Sequence, residues 1–374
     1  MPLTFKSDIS ATRSLGNING INGPQDYALH LDFQKGIYRT KSAGLIEEIS
    51  IEDFLTVARS SPRDTQDRDG TWRTLAPATP RFRYHPSGNG YYGLLLENNT
   101  TNLLPYSDSP SSQSFSVDAS VHSLILYVHG TGSATLTGDV EVTSAVATEG
   151  EPAVYEKVRD SGDPIALSLN VTGDVTFAQV EQKVQPLSVS SPVHTAGSPV
   201  TTSAEILSMA DGFLSSHINA GQCTVVVQSI ETFSIKETEG NIDNQPFSAG
   251  DADRTYEIES EIRNSYTQSA GKRLLSRTSR LRPYVGGTPQ VLDVIDIGID
   301  EPVAAVTAAA YENGVIKHAS DGNVYTISDS ETYFDVNWLL SKLSLGPGIT
   351  TQVLIYPRAL SDQELSAVTK SWAR

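Results

Sequence analysis

The chain has 374 residues, enough for two or three domains that each bury a core, and sets 27 Lys and Arg against 44 Asp and Glu for a formal charge of −17. That balance excludes nucleic-acid binding through a general electrostatic field, which needs basic residues in excess. A single cysteine, Cys223, excludes an intrachain disulfide, and no apolar run approaches the roughly 18 residues of a membrane-spanning helix. The first residues read without the basic and apolar regions of a signal peptide.

Taken in order, Asn17 to Pro24 strings together Asn-Gly turn signals, and residues 1–106 read as an irregular region suited to docking on partners. The loop from Ser60 to Gly70 mixes acids and bases. Against the EF-hand spacing, Thr65 and Ala76 occupy positions where carboxylates belong, so the loop reads as exposed with local ion pairs. Leu94 to Leu96 is a short apolar run between a glycine and an Asn/Thr cluster, the pattern of a strand buried on both faces, and Leu103-Leu104-Pro105 ends it in a turn.

Residues 107–185 read as a small antiparallel sandwich, with strands over Ser123–His129, Ala134–Val142, Pro164–Val171 and Asp174–Val180. Ile165, Leu167, Leu169 and Val171 share one face. The stretch 183–205, which contains Pro186, Pro192 and Pro199, is a linker or the irregular first strand of the next module. Residues 186–374 form the third region. Cys223 sits in a strand pattern as a small apolar residue, and Tyr256 to Ile262 alternates apolar residues with glutamates. Ala304–Tyr311, Asn313-Gly314 and Val315–Ala319 spell strand, hairpin turn and strand, followed by Val324–Ser328. A last strand, Val353–Tyr356, leads into a short helix with Ser361 and Glu364 as a capping box and Leu365, Val368 and Trp372 on one face.

Two segments resemble known families. Gly93-Leu-Leu-Leu-Glu97, followed by Thr101-Asn-Leu-Leu-Pro-Tyr-Ser107 and preceded by Thr79-Pro-Arg-Phe-Arg-Tyr-His-Pro86, resembles a signature of bacteriophage head spike fibre and tail fibre proteins. Tyr356-Pro-Arg-Ala-Leu-Ser361 through Leu365, after a hairpin, resembles the close of laminin-G-like, concanavalin-like domains of phage proteins. The resemblance implies a virion protein assembled in the bacterial cytoplasm, docked through its N-terminal region to other virion proteins, and homo-oligomeric with a trimer favoured. The expected fold is all-β: tandem antiparallel β-sandwich (jelly-roll or concanavalin-like) modules with a short C-terminal helix.

Enzyme signatures are absent, no Cys/His spacing supports zinc, and no cofactor or metal is expected. Asp293, Asp296 and Asp300 do not share one strand face and are assigned no calcium. Saccharide binding is the candidate chemistry, because Tyr and Trp offer an apolar ring face with a polar edge while Asn and Asp supply hydrogen bonds. Tyr284, Asp321, Asn323, Tyr325, Tyr333, Asp335 and Trp338 are the candidate residues, although each ring also fits core or interface packing. The basic run Lys272, Arg273, Arg277, Arg280 and Arg282 could meet an anionic polysaccharide, or pair with the Glu257, Glu259 and Glu261 face. Host-surface polysaccharide is the expected partner. A purely structural collar or capsid-decorating protein and a polysaccharide depolymerase are the alternative readings.

Overall fold

A computed structural model describes residues 15–18, 21–84, 90–118, 121, 123–144, 146–157, 163–182, 190–209, 213, 216, 222–230, 240–250, 256–269, 272–285, 288–289, 292–299, 304–312, 315–328, 343–345 and 348–370. Over 240–299 it describes backbone pairing alone. The described residues form antiparallel sheets that pack as two sandwiches, with a short helix near the C-terminus, so the chain is all-β.

The larger sandwich is stitched from both ends of the chain. Its ten-stranded sheet runs Asn323–Ser328, Val315–Ser320, Ala305–Glu312, Gln222–Ile230, Gly348–Tyr356, Leu29–Asp32, Ile37–Ser42 and Leu45–Glu48. Tyr92–Leu96 pairs with the first residues of Gly348–Tyr356, and Arg81–Tyr84 pairs outside it. The facing sheet joins Leu55–Ala58 and Ile206–Met209 to Leu343–Leu345 and to the hairpin strands of 240–299. Between them lie Leu29, Leu31, Phe33, Phe54, Val57, Leu94, Leu207, Val225 and Val353. Each apolar side chain buried there contributes about 1.5–3 kcal/mol before chain entropy is subtracted.

All of Gly348–Tyr356 is buried because both of its faces are covered. One face joins the core. The other, with Val226, Ala308 and Ala310, carries the helix α2 (Asp362–Lys370) through Leu360, Leu365 and Val368. Small alanines let the helix approach, and its cap forms as the sequence indicates: Ser361 N–H donates to Glu364 at 2.9 Å and Glu364 N–H to Ser361 Oγ at 3.4 Å. A second helix, the single turn α1 (Ile51–Phe54), buries Phe54 in the core.

The smaller sandwich is inserted into the larger one. A six-stranded sheet ordered Val140–Ser144, Ala153–Lys157, Ser123–Gly130, Val175–Gln182, Thr100–Asn102 and Val200–Thr202 faces a three-stranded sheet of Gln113–Val117, Ile165–Thr172 and Ser133–Gly138. Ile165, Leu167 and Leu169 are buried and Val171 packs at the margin, the face given by alternation. The chain enters and leaves this module on neighbouring strands, Thr100 opposite Thr202. Sheet pairing therefore runs across both expected boundaries, 106 and 185. Residues 29–96 complete the C-terminal sandwich, and residues 200–202 close the small one rather than opening the next.

Two readings of the sequence are corrected. The region before 106 holds regular strands, because its short apolar runs find partners 148 to 326 residues away that local patterning does not reveal. The loop 60–70 is not an exposed loop throughout. Arg63–Gln66 pairs with Trp72–Leu75, and Arg63, Asp64 and Thr65 are buried. Their polarity is matched by buried polar partners instead of water.

Candidate functional site

The signature strands meet the inserted sandwich at a seam, and a buried ion cluster fills it. On Arg81–Tyr84, alternation sends Phe82 to the large core, stacked on Tyr92, while Arg81 faces the seam. Arg81 uses every donor of its guanidinium: Nε to Glu205 (2.8 Å), Nη1 to Asp64 O (2.7 Å) and Ser191 Oγ (2.9 Å), and Nη2 to Glu97 (2.7 Å) and Glu205. Arg63 donates to Glu97 (2.9 Å), Asn98 O (2.8 Å) and Thr202 Oγ1 (3.0 Å), and Arg59 donates to Glu205 and to Ser61 O (2.8 Å). Glu97 also accepts from Ser191 N–H at 2.8 Å. Burial by itself would raise the Glu97 carboxyl, but Arg81 and Arg63 overcome it and hold it at about 2.

Other residues of the signature do the same work. Asn102 donates to Val193 O (2.7 Å) and accepts from Leu104 and Val180 N–H (both 3.1 Å), and Ser107 Oγ accepts from Thr195 N–H (2.8 Å). Gly93 lies so close to its neighbour that a Cβ would stand 2.3 Å from Thr350 O. The stretch that resembles a phage signature is thus the lock between the sandwiches.

Beside the lock, the seam carries a patch of rings and carboxylates. Half-buried Trp72 meets His129 edge-on (5.3 Å between centroids), His129 meets Tyr127 (4.7 Å) and Phe177 (5.8 Å), and Phe177 meets His194 (5.3 Å). The Tyr127 hydroxyl lies 2.7 Å from His129 Nε2 and Glu149 lies 2.8 Å from His129 Nδ1, so both ring nitrogens have hydrogen-bond partners. His194 spans the two modules, donating Nε2–H to Asp64 (2.7 Å) and Nδ1–H to Asp108 (2.6 Å). Two donors require the imidazolium. The bond to Asp64, opposed by burial and aided by Asp108, raises its pKa to about 9. Asp108, Glu149 and about half of His194 remain accessible. Rings, fixed imidazoles and open carboxylates at one place suit recognition of a hydroxylated ring.

Of the residues chosen from sequence, those whose side chains the structure describes fall elsewhere. Asp321 turns the last hairpin at φ +47°, next to Gly322, whose N–H donates to Thr369 Oγ1 on α2 at 3.0 Å. Asn323 and Tyr325 follow it, exposed, so these three mark a hairpin seated on the helix. Tyr333, Asp335 and Trp338 lie outside the described residues, as do the side chains of Tyr284, Lys272, Arg273, Arg277, Arg280 and Arg282. The strand register nonetheless sets Arg280 across from Glu261 and Arg282 across from Glu259. Sequence reasoning missed Trp72, His129, His194, Asp108 and Glu149. The available signal was an indole just after the Asp69-Gly70 turn, in a stretch otherwise polar.

No family model and no curated protein matches the chain. Solved structures similar to parts of it include the leech intramolecular trans-sialidase, 16% identical over 41% of this chain and 23% of that one, with a TM-score of 0.26. The enzymatically active domain of tailspike protein 2 from bacteriophage CBA120 is 14% identical over 45% and 26%, at 0.31. Domains LG4-5 of the mouse laminin alpha1 chain are 8% identical over 79% and 88%, at 0.17. The chain spans about a quarter of the length of the first two. The class is defined by the sheets themselves, an all-β protein of paired antiparallel sandwiches.

Proposed function

We propose that the chain is a structural protein of a bacteriophage virion, a fibre or spike whose seam patch around Trp72 binds carbohydrate on the bacterial surface. The convergence of Trp72, His129 and His194 with Asp108 and Glu149 at the junction of two sandwiches carries the binding part of this reading. The resemblance of Gly93 to Ser107 to phage fibre proteins supports the virion part. In this reading the protein binds without cleaving, the N-terminal region outside the strands that complete the sandwich meets other virion proteins, and copies assemble as a trimer. Self-association is supported by the strand Leu45–Glu48, which lies at an open sheet edge with Leu45 78% and Ile46 56% exposed. Many weak sites on one particle then give firm attachment through effective concentration.

The test is binding of the full chain to intact host cells, competed by their free surface polysaccharide. Trp72→Ala is expected to weaken binding about tenfold, since a ring contact is worth about 1.5 kcal/mol at most. Wild-type binding by Trp72→Ala would remove the seam from the account. The same assay on Tyr284, Tyr333 and Trp338 substitutions tests the region chosen from sequence.

A further inference from the structure

Arg83 lies two residues from Arg81 on the same strand and differs from it in one respect. Arg81 spends all its donors on fixed partners, whereas Arg83 Nε has no hydrogen-bond partner, and among the described residues no carboxylate pairs with its guanidinium. Its neighbour is a ring: the guanidinium carbon lies 5.1 Å from the centre of Trp72. Glu97 exerts the strongest influence of opposite sign on Arg83, but that carboxylate is already held by Arg63, Arg81 and Ser191. The lock beside it sets three guanidinium groups against two carboxylates, so nothing there neutralises a further cation. Burial penalises the charged form of Arg83, and its pKa is lowered. A half-buried cation without its anion is costly in an isolated fold and useful in a binding site, because the anion can arrive with the ligand.

We propose that Arg83, laid beside Trp72, binds the carboxylate of an acidic saccharide. This deepens the proposed saccharide site and rests on it. One planar guanidinium presents two parallel N–H groups that match a carboxylate. A doubly charged phosphate would gain little beyond Arg83, because the His194 imidazolium is already held by Asp64 and Asp108, and Asp108 and Glu149 stand exposed on the same seam. The ring of Trp72 gives the sugar its apolar contact while Arg83 reads its charge.

The full chain is titrated calorimetrically with a uronate-bearing oligosaccharide, the same oligosaccharide with its carboxyl reduced to the alcohol, and a phosphorylated oligosaccharide. Wild type is expected to favour the uronate over the reduced form by about tenfold or more. Arg83→Gln should bring that ratio close to one, and Arg83→Lys, which keeps the charge without the fork, should leave it in between. Equal affinity for uronate and reduced forms in wild type, or a ratio unmoved by Arg83→Gln, overturns the proposal while leaving the saccharide site intact. Tighter binding of the phosphorylated form overturns the carboxylate assignment. Binding of none of the three by wild type overturns both; where wild type binds the uronate and its reduced form equally, loss of both in Trp72→Ala keeps the saccharide site and confines the failure to the reading of charge.

Discussion

A carboxylate shut away from water survives as an anion only where cations replace the water, and Glu97 has Arg63 and Arg81. Glu97→Gln is expected to cost about 3–5 kcal/mol in urea unfolding, because it strands guanidinium charge in the seam; a change under ~1 kcal/mol would show that water reaches the cluster. His194 works in the opposite sense. Its folded pKa of about 9 stands above the usual 6.5, so its ion pairs add their full stability below about pH 6.5 and lose it as the pH rises through 9. About half the side chain is exposed, which keeps the effect to ~1 kcal/mol or less. Melting temperature should fall from pH 7 to pH 9.5 more steeply in wild type than in His194→Gln, and parallel curves would contradict the assignment. None of these roles was legible in sequence. Arg63 sits among Asp, Gln and Arg residues that read as solvated, and its partners Glu97 and Thr202 lie 34 and 139 residues away.

At the scale of elements, what local pattern governs was legible. The hairpin of Ala305–Glu312 and Val315–Ser320, the alternation along Ile165–Thr172, the buried run Leu94–Leu96 and the cap at Ser361 each follow from spacing within one segment. Pairing between distant segments was not. Gly93 shows the difference, since it reads as the punctuation before a strand but is required by the approach of Gly348–Tyr356. Gly93→Ala should cost ~2 kcal/mol or more, because the added methyl meets a backbone oxygen that cannot move without breaking the ladder. Thermal unfolding of the variant checks this, and wild-type stability would mean that the strands separate at no cost.

For the whole molecule, the consequence is that neither end folds without the other. A fragment beginning at residue 107 lacks Leu29–Asp32 and Tyr92–Leu96, leaving Gly348–Tyr356 with an open edge and the core without Leu29, Leu31, Phe33 and Phe54. It should aggregate or lose its near-ultraviolet circular dichroism; a soluble fragment with native signal would refute the stitched sandwich. The candidate site follows the same logic, for Trp72, Asp64, Asp108 and His194 come together only when the hairpin and the inserted module meet. The most direct test uses the chain with Trp338→Phe and Trp372→Phe, which leaves Trp72 as the single indole of the three. Titrated with host-surface polysaccharide, its fluorescence should change and saturate together with binding measured by cell competition. Saturable binding with an unchanged Trp72 signal would place the saccharide elsewhere on the protein.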